Sequence, residues 1–184
     1  MEIRITSKQI LFVLYILAWI IFIGLCMEAG GILFNAFYTM FYNPVGAGFF
    51  WNKMDLSGLF AADKGYFIVL TILMSIVAIL KAIQFYIIIR AIHHKKLNFT
   101  QPFNQYLPRF ISYLSWLAIG IGIFSSWGTN QTKWLVAKGI SLPDIQKLGF
   151  GGADVWFFMG VILIVIAQIC KRGVELQTEN DLTI

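Results

Sequence analysis

Three ionisable side chains fall within or at the ends of long apolar runs: Glu28, Lys81 and Asp154. A charged residue at the centre of a membrane-spanning helix costs about 2.5–3.5 kcal/mol on insertion scales, so such residues are candidates for function. In the functional interpretation, Glu28 and Asp154 flank an outward-facing polar cleft. In the simpler interpretation, which the sequence favours, both carboxylates lie near the membrane surface in reach of water.

The depths of Glu28 and Lys81 argue against an ion pair between them. At about 1.5 Å per residue, Glu28 lies about 27 Å from the start of its run at Ile10, and Lys81 lies about 12 Å from the end of its run at Ile89. The sequence therefore predicts backbones about 15 Å apart in depth. We expect the Lys81 ammonium to extend to the headgroups on the Ile89 side.

Polar groups elsewhere in the runs predict packing and not catalysis. Gln84 and Gln168 are expected to form interhelical hydrogen bonds, and Ala118, Gly122 and Ser126 form a small-residue stripe that allows close helix contact. His93 and His94 are adjacent and diverge on a helix, unlike paired metal ligands. The sequence contains no HExxH, GxSxG or GxxxxGK[ST] motif. We therefore expect no enzymatic activity, no cofactor and no metal.

Four apolar runs carry these side chains, at about 10–29, 66–89, 110–127 and 149–169. A spanning helix needs about 20 mostly apolar residues, and only a helix satisfies its own backbone in lipid. Charged residues make up 12% of the chain, against about 25% in soluble domains. The predicted fold is all-α, a polytopic membrane protein with a four-transmembrane-helix bundle in residues 1–172. An acidic tail, 173–184, follows, and its first glycine is expected to end the fourth helix.

The chain between the first two runs, residues 30–60, is rich in aromatic residues, which favour the headgroup level of a membrane. We interpret it as an outer segment at the interface, either a continuation of the first helix or an interfacial piece; an outward-facing aromatic ligand pocket is the alternative. Basic residues beside the run ends predict a multi-pass protein of the cell membrane with both termini and the 90–109 loop in the cytoplasm. Their position favours contact with membrane lipid and not with nucleic acid.

Two short motifs suggest a family. The segment GVELQTENDLTI at 173–184 resembles the ending of the DUF2975 family of small prokaryotic four-span membrane proteins, and LNFTQPF at 97–103 resembles that family's mid-chain turn. The resemblance covers about residues 66–184. It implies no established activity, but family members are often encoded beside a small helix-turn-helix regulator, which implies a cytoplasmic regulatory partner. The positions that match, which the resemblance implies as candidate partner-binding residues, are Glu179, Asn180, Asp181, Leu182, Thr183, Ile184, Pro102 and Phe103.

Together these observations predict a non-enzymatic membrane protein that regulates or senses through contacts at its cytoplasmic face. The alternatives from other classes are a small transporter or channel-like protein, acting as a homo-oligomer, and a lipid-binding membrane protein. The candidate intramembrane polar residues Glu28, Lys81, Gln84 and Asp154 discriminate between them. Transport requires that these groups face a water-filled cavity, whereas partner binding requires the tail.

Overall fold

The computed structural model describes residues 7–94 and 105–181. In chain order its α-helices are α1 (Ser7–Phe41), α2 (Ser57–Ala62), α3 (Lys64–His93), α4 (Tyr106–Ala137) and α5 (Ala153–Asp181). Within these ranges, four helices (α1, α3, α4 and α5) are long and apolar enough to cross a membrane. The predicted all-α fold with four spanning helices is confirmed.

The helices extend beyond the apolar runs that predicted them, because backbone hydrogen bonding continues until a cap or a turn stops it. The Asp63 carboxylate accepts the Tyr66 N–H at 3.1 Å and caps the start of α3. The fourth run was predicted to begin at Gly149, but α5 begins at Ala153. Gly149 and Gly152 adopt φ values of 81° and 72°, which belong to the left-handed region and form a turn, not a helix.

Each long helix is antiparallel to the next. The Tyr15 hydroxyl lies 3.2 Å from the His93 ring, which joins the first turns of α1 to the last turn of α3. The Tyr66 and Trp134 rings are 5.3 Å apart, which joins the start of α3 to the end of α4. The start of α1 and the end of α5 therefore lie at one end of the molecule, the terminal end. We call the opposite end the cap end.

The cap consists of residues 42–63 and 138–152. It contains two 3₁₀ turns, Pro44–Phe49 and Trp51–Lys53, followed by α2. The Asn43 side chain accepts the Val45 N–H at 3.0 Å and starts the first turn. The cap contributes fully buried apolar side chains to the core: Phe50, Leu56, Leu59, Leu148 and Phe150. Burying such a side chain stabilises the fold by about 1.5–3 kcal/mol, so the cap is part of the packed structure.

The aromatic cluster predicted at 30–60 is present, and it divides into two parts. Most of its rings are exposed, among them Phe34, Phe41, Tyr42 and Phe49, as expected for an interfacial position. Phe50 is only 1% exposed and packs edge-on against Phe67, with ring centroids 5.8 Å apart. The first part belongs to α1, which continues to Phe41. The prediction of an interfacial segment therefore omitted its contribution to the core.

Small residues bring α4 and α5 into close contact. A Cβ atom on Gly122 would lie 2.9 Å from the Phe157 backbone nitrogen, and one on Gly160 would lie 3.0 Å from the Ser115 carbonyl oxygen. Of the predicted stripe, Ala118 and Gly122 are buried but Ser126 is exposed. Ser125 takes the third buried position, because a helix with about 3.6 residues per turn rotates away from a strict spacing of four.

Candidate functional site

The Lys81 ammonium lies at the junction of three elements. Lys81 is in the second half of α3, and its Nζ donates a hydrogen bond to the Gly149 carbonyl oxygen at 3.0 Å. The same Nζ lies 6.0 Å from the centroid of the Trp156 ring on α5, within range of a cation–π attraction. Lys81 therefore joins the middle of the bundle to the loop that precedes α5. We call Lys81, Gly149 and Glu28 the lysine site.

Glu28 approaches the same glycine from α1. Its Oε1 lies 3.6 Å from the position that a Cβ atom on Gly149 would occupy. It is close enough to attract the Lys81 ammonium electrostatically. Glu28 and Lys81 do not form an ion pair among the residues that the structure describes. Both groups instead lie beside Gly149.

The predicted depth difference of about 15 Å between Glu28 and Lys81 is wrong. It placed Ile10 and Ile89 at the same depth, whereas the contact between Tyr15 and His93 sets the true register of α1 and α3. Counted from that contact at about 1.5 Å per residue, Glu28 lies about 20 Å and Lys81 about 18 Å toward the cap end. The two charges therefore share one level.

The predicted direction of the Lys81 side chain is wrong as well. The sequence predicted that its ammonium would reach the headgroups at the Ile89 end, which is the terminal end. The ammonium instead contacts Gly149 in the cap. A buried ammonium loses its contacts with water, and a lysine usually avoids this cost by extending its side chain to the membrane surface. For Lys81, the carbonyl acceptor and the nearby Glu28 carboxylate offset the cost instead.

Asp154 lies apart from the lysine site. It is exposed in the first turn of α5 and lines a cavity of about 670 Å³ between α4 and α5. Glu28 is not among the residues that line this cavity. The loop 149–152 lies between the two carboxylates, with Gly149 facing Glu28 and Gly152 facing the cavity. This cavity is therefore not the polar cleft flanked by Glu28 and Asp154 that the functional interpretation requires.

The two glutamines have different environments. The Gln84 Oε1 is buried and has no hydrogen-bond partner in the described part of the chain. Its predicted interhelical hydrogen bond through this oxygen is absent there. Gln168 is exposed and lines a second cavity, of about 560 Å³, at the terminal end of α4 and α5. That cavity is also lined by Arg109, Lys171 and Glu175, so it contains charges of both signs.

The predicted tail begins as helix. Gly173 was expected to end the fourth helix, but α5 continues through it to Asp181. Lys171 Nζ lies 3.9 Å from Glu175 Oε1 one turn later, a helical pairing that stabilises by about 0.2–0.5 kcal/mol. Glu179 is exposed on this extension.

The remaining predicted partner-binding positions are only partly described. The backbones of Asn180 and Asp181 belong to α5. Pro102, Phe103 and residues 182–184 lie outside the described residues.

Residues 7–94 and 105–181 contain no group of three or more His, Cys, Asp or Glu side chains that could hold a metal ion. His93 contacts Tyr15 through its Nδ1, which gives that imidazole a structural partner. The two cysteines, Cys26 and Cys170, are free thiols.

Sequence reasoning missed Gly149 as part of the lysine site and Trp156 as a ring close to its ammonium group. The glycine-rich run 149–152 was interpreted as the flexible start of the fourth span. The signal that could have identified it is the presence of Leu148 and Phe150 on either side of Gly149, and the structure buries both side chains, at 1% and 0% exposure. Large apolar residues between glycines with positive φ are typical of a loop that folds into the core.

The fold and these sites define a helical multi-pass membrane protein with a folded cap at one end. Comparison of the chain with protein-family models, curated proteins and solved structures finds no match.

Proposed function

We propose that the chain is a non-enzymatic membrane protein that senses a change at its cap end and passes it to a partner protein at its terminal end. The observation that carries this proposal is the hydrogen bond from Lys81 to the Gly149 carbonyl oxygen. Gly149 lies directly before α5, and α5 is one helix of 29 residues. At about 1.5 Å per residue it is about 43 Å long, so it links the cap to the terminal end as a single rod.

Through the lysine site, a movement of the cap can change the position of α5. A ligand or a membrane change that pulls the loop 138–152 away from the bundle must break the Lys81 contact. The freed ammonium then loses an acceptor and lies farther from Glu28. Because only three residues separate Gly149 from the start of α5, the position of α5 depends on whether the contact is made. This arrangement supports sensing more than catalysis.

The far end of α5 is suited to a partner. Leu176 is 62% exposed beyond the apolar part of the helix, and an exposed leucine among polar neighbours is a typical anchor for a helix-binding protein. The resemblance of residues 173–184 to the DUF2975 ending supports a regulator of the helix-turn-helix type as that partner. Four basic residues lie at the terminal end: Arg90, Arg109, Lys171 and Arg172. They support a cytoplasmic location for this partner and a location of the chain in the cell membrane.

The test compares two matched substitutions on the extension of α5. The tagged full chain is extracted gently from its native host after cross-linking, and co-purifying proteins are identified by mass spectrometry. Leu176→Asp removes the exposed apolar side chain, whereas Gln177→Asp introduces the same charge about 100° around the helix. We expect the partner to be lost with Leu176→Asp and kept with Gln177→Asp. Equal recovery with both variants would sink the proposal.

Transport is the second candidate function. The cavities of about 670 and 560 Å³ lie toward opposite ends of the same α4–α5 interface, and the close contact between Gly160 and Ser115 separates them. This arrangement supports a closed pathway that would open by separation of the two helices. Proteoliposomes containing the chain should then show potassium or chloride flux above empty liposomes, reduced by Asp154→Asn, because Asp154 lines the cavity at the cap end. Flux equal to that of empty liposomes counts against transport.

A further inference from the structure

The cavity between α4 and α5 at the cap end changes character along its depth. Its deep part is formed by Gly122, Ile123 and Phe157, which are apolar. Its shallow part, nearer the cap, contains the polar side chains of Asn130, Lys133 and Asp154. From residue 122 to residue 133, α4 rises about 16 Å. The cavity therefore runs from the hydrocarbon level to the headgroup level of one leaflet.

The two charged groups at the top of this cavity have opposite sign. Neither the Asp154 carboxylate nor the Lys133 ammonium forms an ion pair or hydrogen bond within the part of the chain that the structure describes. Both side chains are exposed and line the same cavity. A ligand that pairs with both groups carries an anionic and a cationic group above an apolar portion.

Part of the cavity wall faces outward from the bundle. Ile123 is 52% exposed and Phe157 is 49% exposed. In a membrane these faces contact lipid chains, so a lipid can enter from within its own leaflet. A free polar molecule would leave the apolar half of the cavity unfilled.

We propose that this cavity binds a zwitterionic phospholipid with a primary amine, the phosphatidylethanolamine class. Lys133 holds the phosphate, Asp154 accepts hydrogen bonds from the ammonium, and an acyl chain lies along Ile123 and Phe157. The three N–H groups of a primary ammonium distinguish it from a quaternary one, whose methyl groups cannot donate to the carboxylate. A lipid headgroup without a cation leaves Asp154 facing a phosphate. The binding site does not depend on the partner proposed for α5.

Lipid-resolved native mass spectrometry of the full chain in detergent tests the proposal. Dioleoyl phosphatidylethanolamine, phosphatidylcholine and phosphatidylglycerol are titrated separately onto the delipidated protein. We expect the ethanolamine lipid to bind about fivefold tighter than either of the others, which corresponds to about 1 kcal/mol. Equal affinity for the three lipids overturns the proposal, and so does preference for the glycerol lipid. These measurements use the unaltered chain and do not depend on the folding of a variant.

Variants of Asp154 and Lys133 then test the role of each charged group in lipid binding. Asp154→Asn should remove the preference for ethanolamine over choline, whereas Lys133→Gln should weaken all three lipids. Asp144→Asn and Lys147→Gln are the matched controls, because both side chains are exposed in the cap and do not line the cavity. Unchanged lipid preference in Asp154→Asn overturns the proposal. Occupation of this face by a second copy of the chain, detected as a dimer that excludes lipid, also overturns it.

Discussion

Replacement of Lys81 by methionine removes the ammonium while keeping the length of the side chain. A hydrogen bond to a charged group contributes about 1.5–3 kcal/mol, although polar contacts between membrane helices average about 0.6 kcal/mol. For charges just beyond ion-pair distance, an effective dielectric constant of about 20 gives an attraction of about 2–3 kcal/mol. Partial exposure reduces this attraction to about 1 kcal/mol. We therefore expect Lys81→Met to lower the free energy of unfolding by about 1–2 kcal/mol.

A double-mutant cycle with Glu28→Gln separates the two contributions. If both groups meet at Gly149, the double variant should lose less stability than the sum of the single variants, by about 1 kcal/mol. The assay is unfolding by sodium dodecyl sulfate in mixed micelles, followed by tryptophan fluorescence. Lys147→Met is the control, because that exposed lysine lies on the cap, and it should change stability by less than about 0.5 kcal/mol. Strictly additive effects would show that Glu28 and Lys81 are not coupled, and would refute the reasoning.

Three further changes have expected outcomes. Gly128→Ala would place a Cβ atom against the Phe150 ring, so it should destabilise by about 1–3 kcal/mol. Gly30→Ala, which has no neighbour within 4 Å, should be neutral or stabilising in the same unfolding assay. Phe150→Ala should cost about 3–5 kcal/mol by leaving a cavity, and an unfolding midpoint equal to that of the unaltered chain would contradict the buried position of the loop. Hydrogen bonds from the Ser57 hydroxyl and N–H hold the pKa of Asp55 below its ordinary value of 3.8. The resulting stabilisation of the cap should be complete above pH 4 and lost as the pH falls through the folded-state pKa of Asp55. Hydrogen exchange of the α2 amides measures this loss, and the Asp55→Asn variant should not show it.

The four spanning helices could be predicted because hydropathy alone determines them. Apolar runs of about 20 residues have one stable conformation in lipid. The all-α class follows directly, and each predicted run except the start of the fourth lies inside an observed helix. The aromatic cluster could also be predicted, because residues 30–60 are rich in aromatic residues.

The register between helices could not be predicted from the runs. Apolar runs show which residues lie in the membrane, but α1 and α3 extend beyond them by different lengths. The contact between Tyr15 and His93 sets their register, and neither residue is distinctive in the sequence. Because the assumed register was wrong, Glu28 and Lys81 were predicted to lie at different depths, and the lysine site was not predicted.

The ends of the fourth helix were also predicted incorrectly, for a physical reason common to both. Glycine permits a turn but does not require one. Gly149 and Gly152 form a turn with Phe150 buried between them. Gly173 stays helical, at a cost of about 1 kcal/mol relative to alanine, because the preceding turns of α5 are already formed. Only tertiary packing distinguishes these cases.

The central claim is that the Lys81 contact positions the far end of α5. Spin labels at cysteines replacing His94, at the end of α3, and Gln177, on the extension of α5, report that position when Cys26 and Cys170 are replaced by serine. Pulsed dipolar spectroscopy in nanodiscs would compare the chain containing Lys81 with the Lys81→Met variant. The account predicts that the distance between the labels shifts or broadens when the lysine is removed. An identical distance distribution in both chains would contradict it.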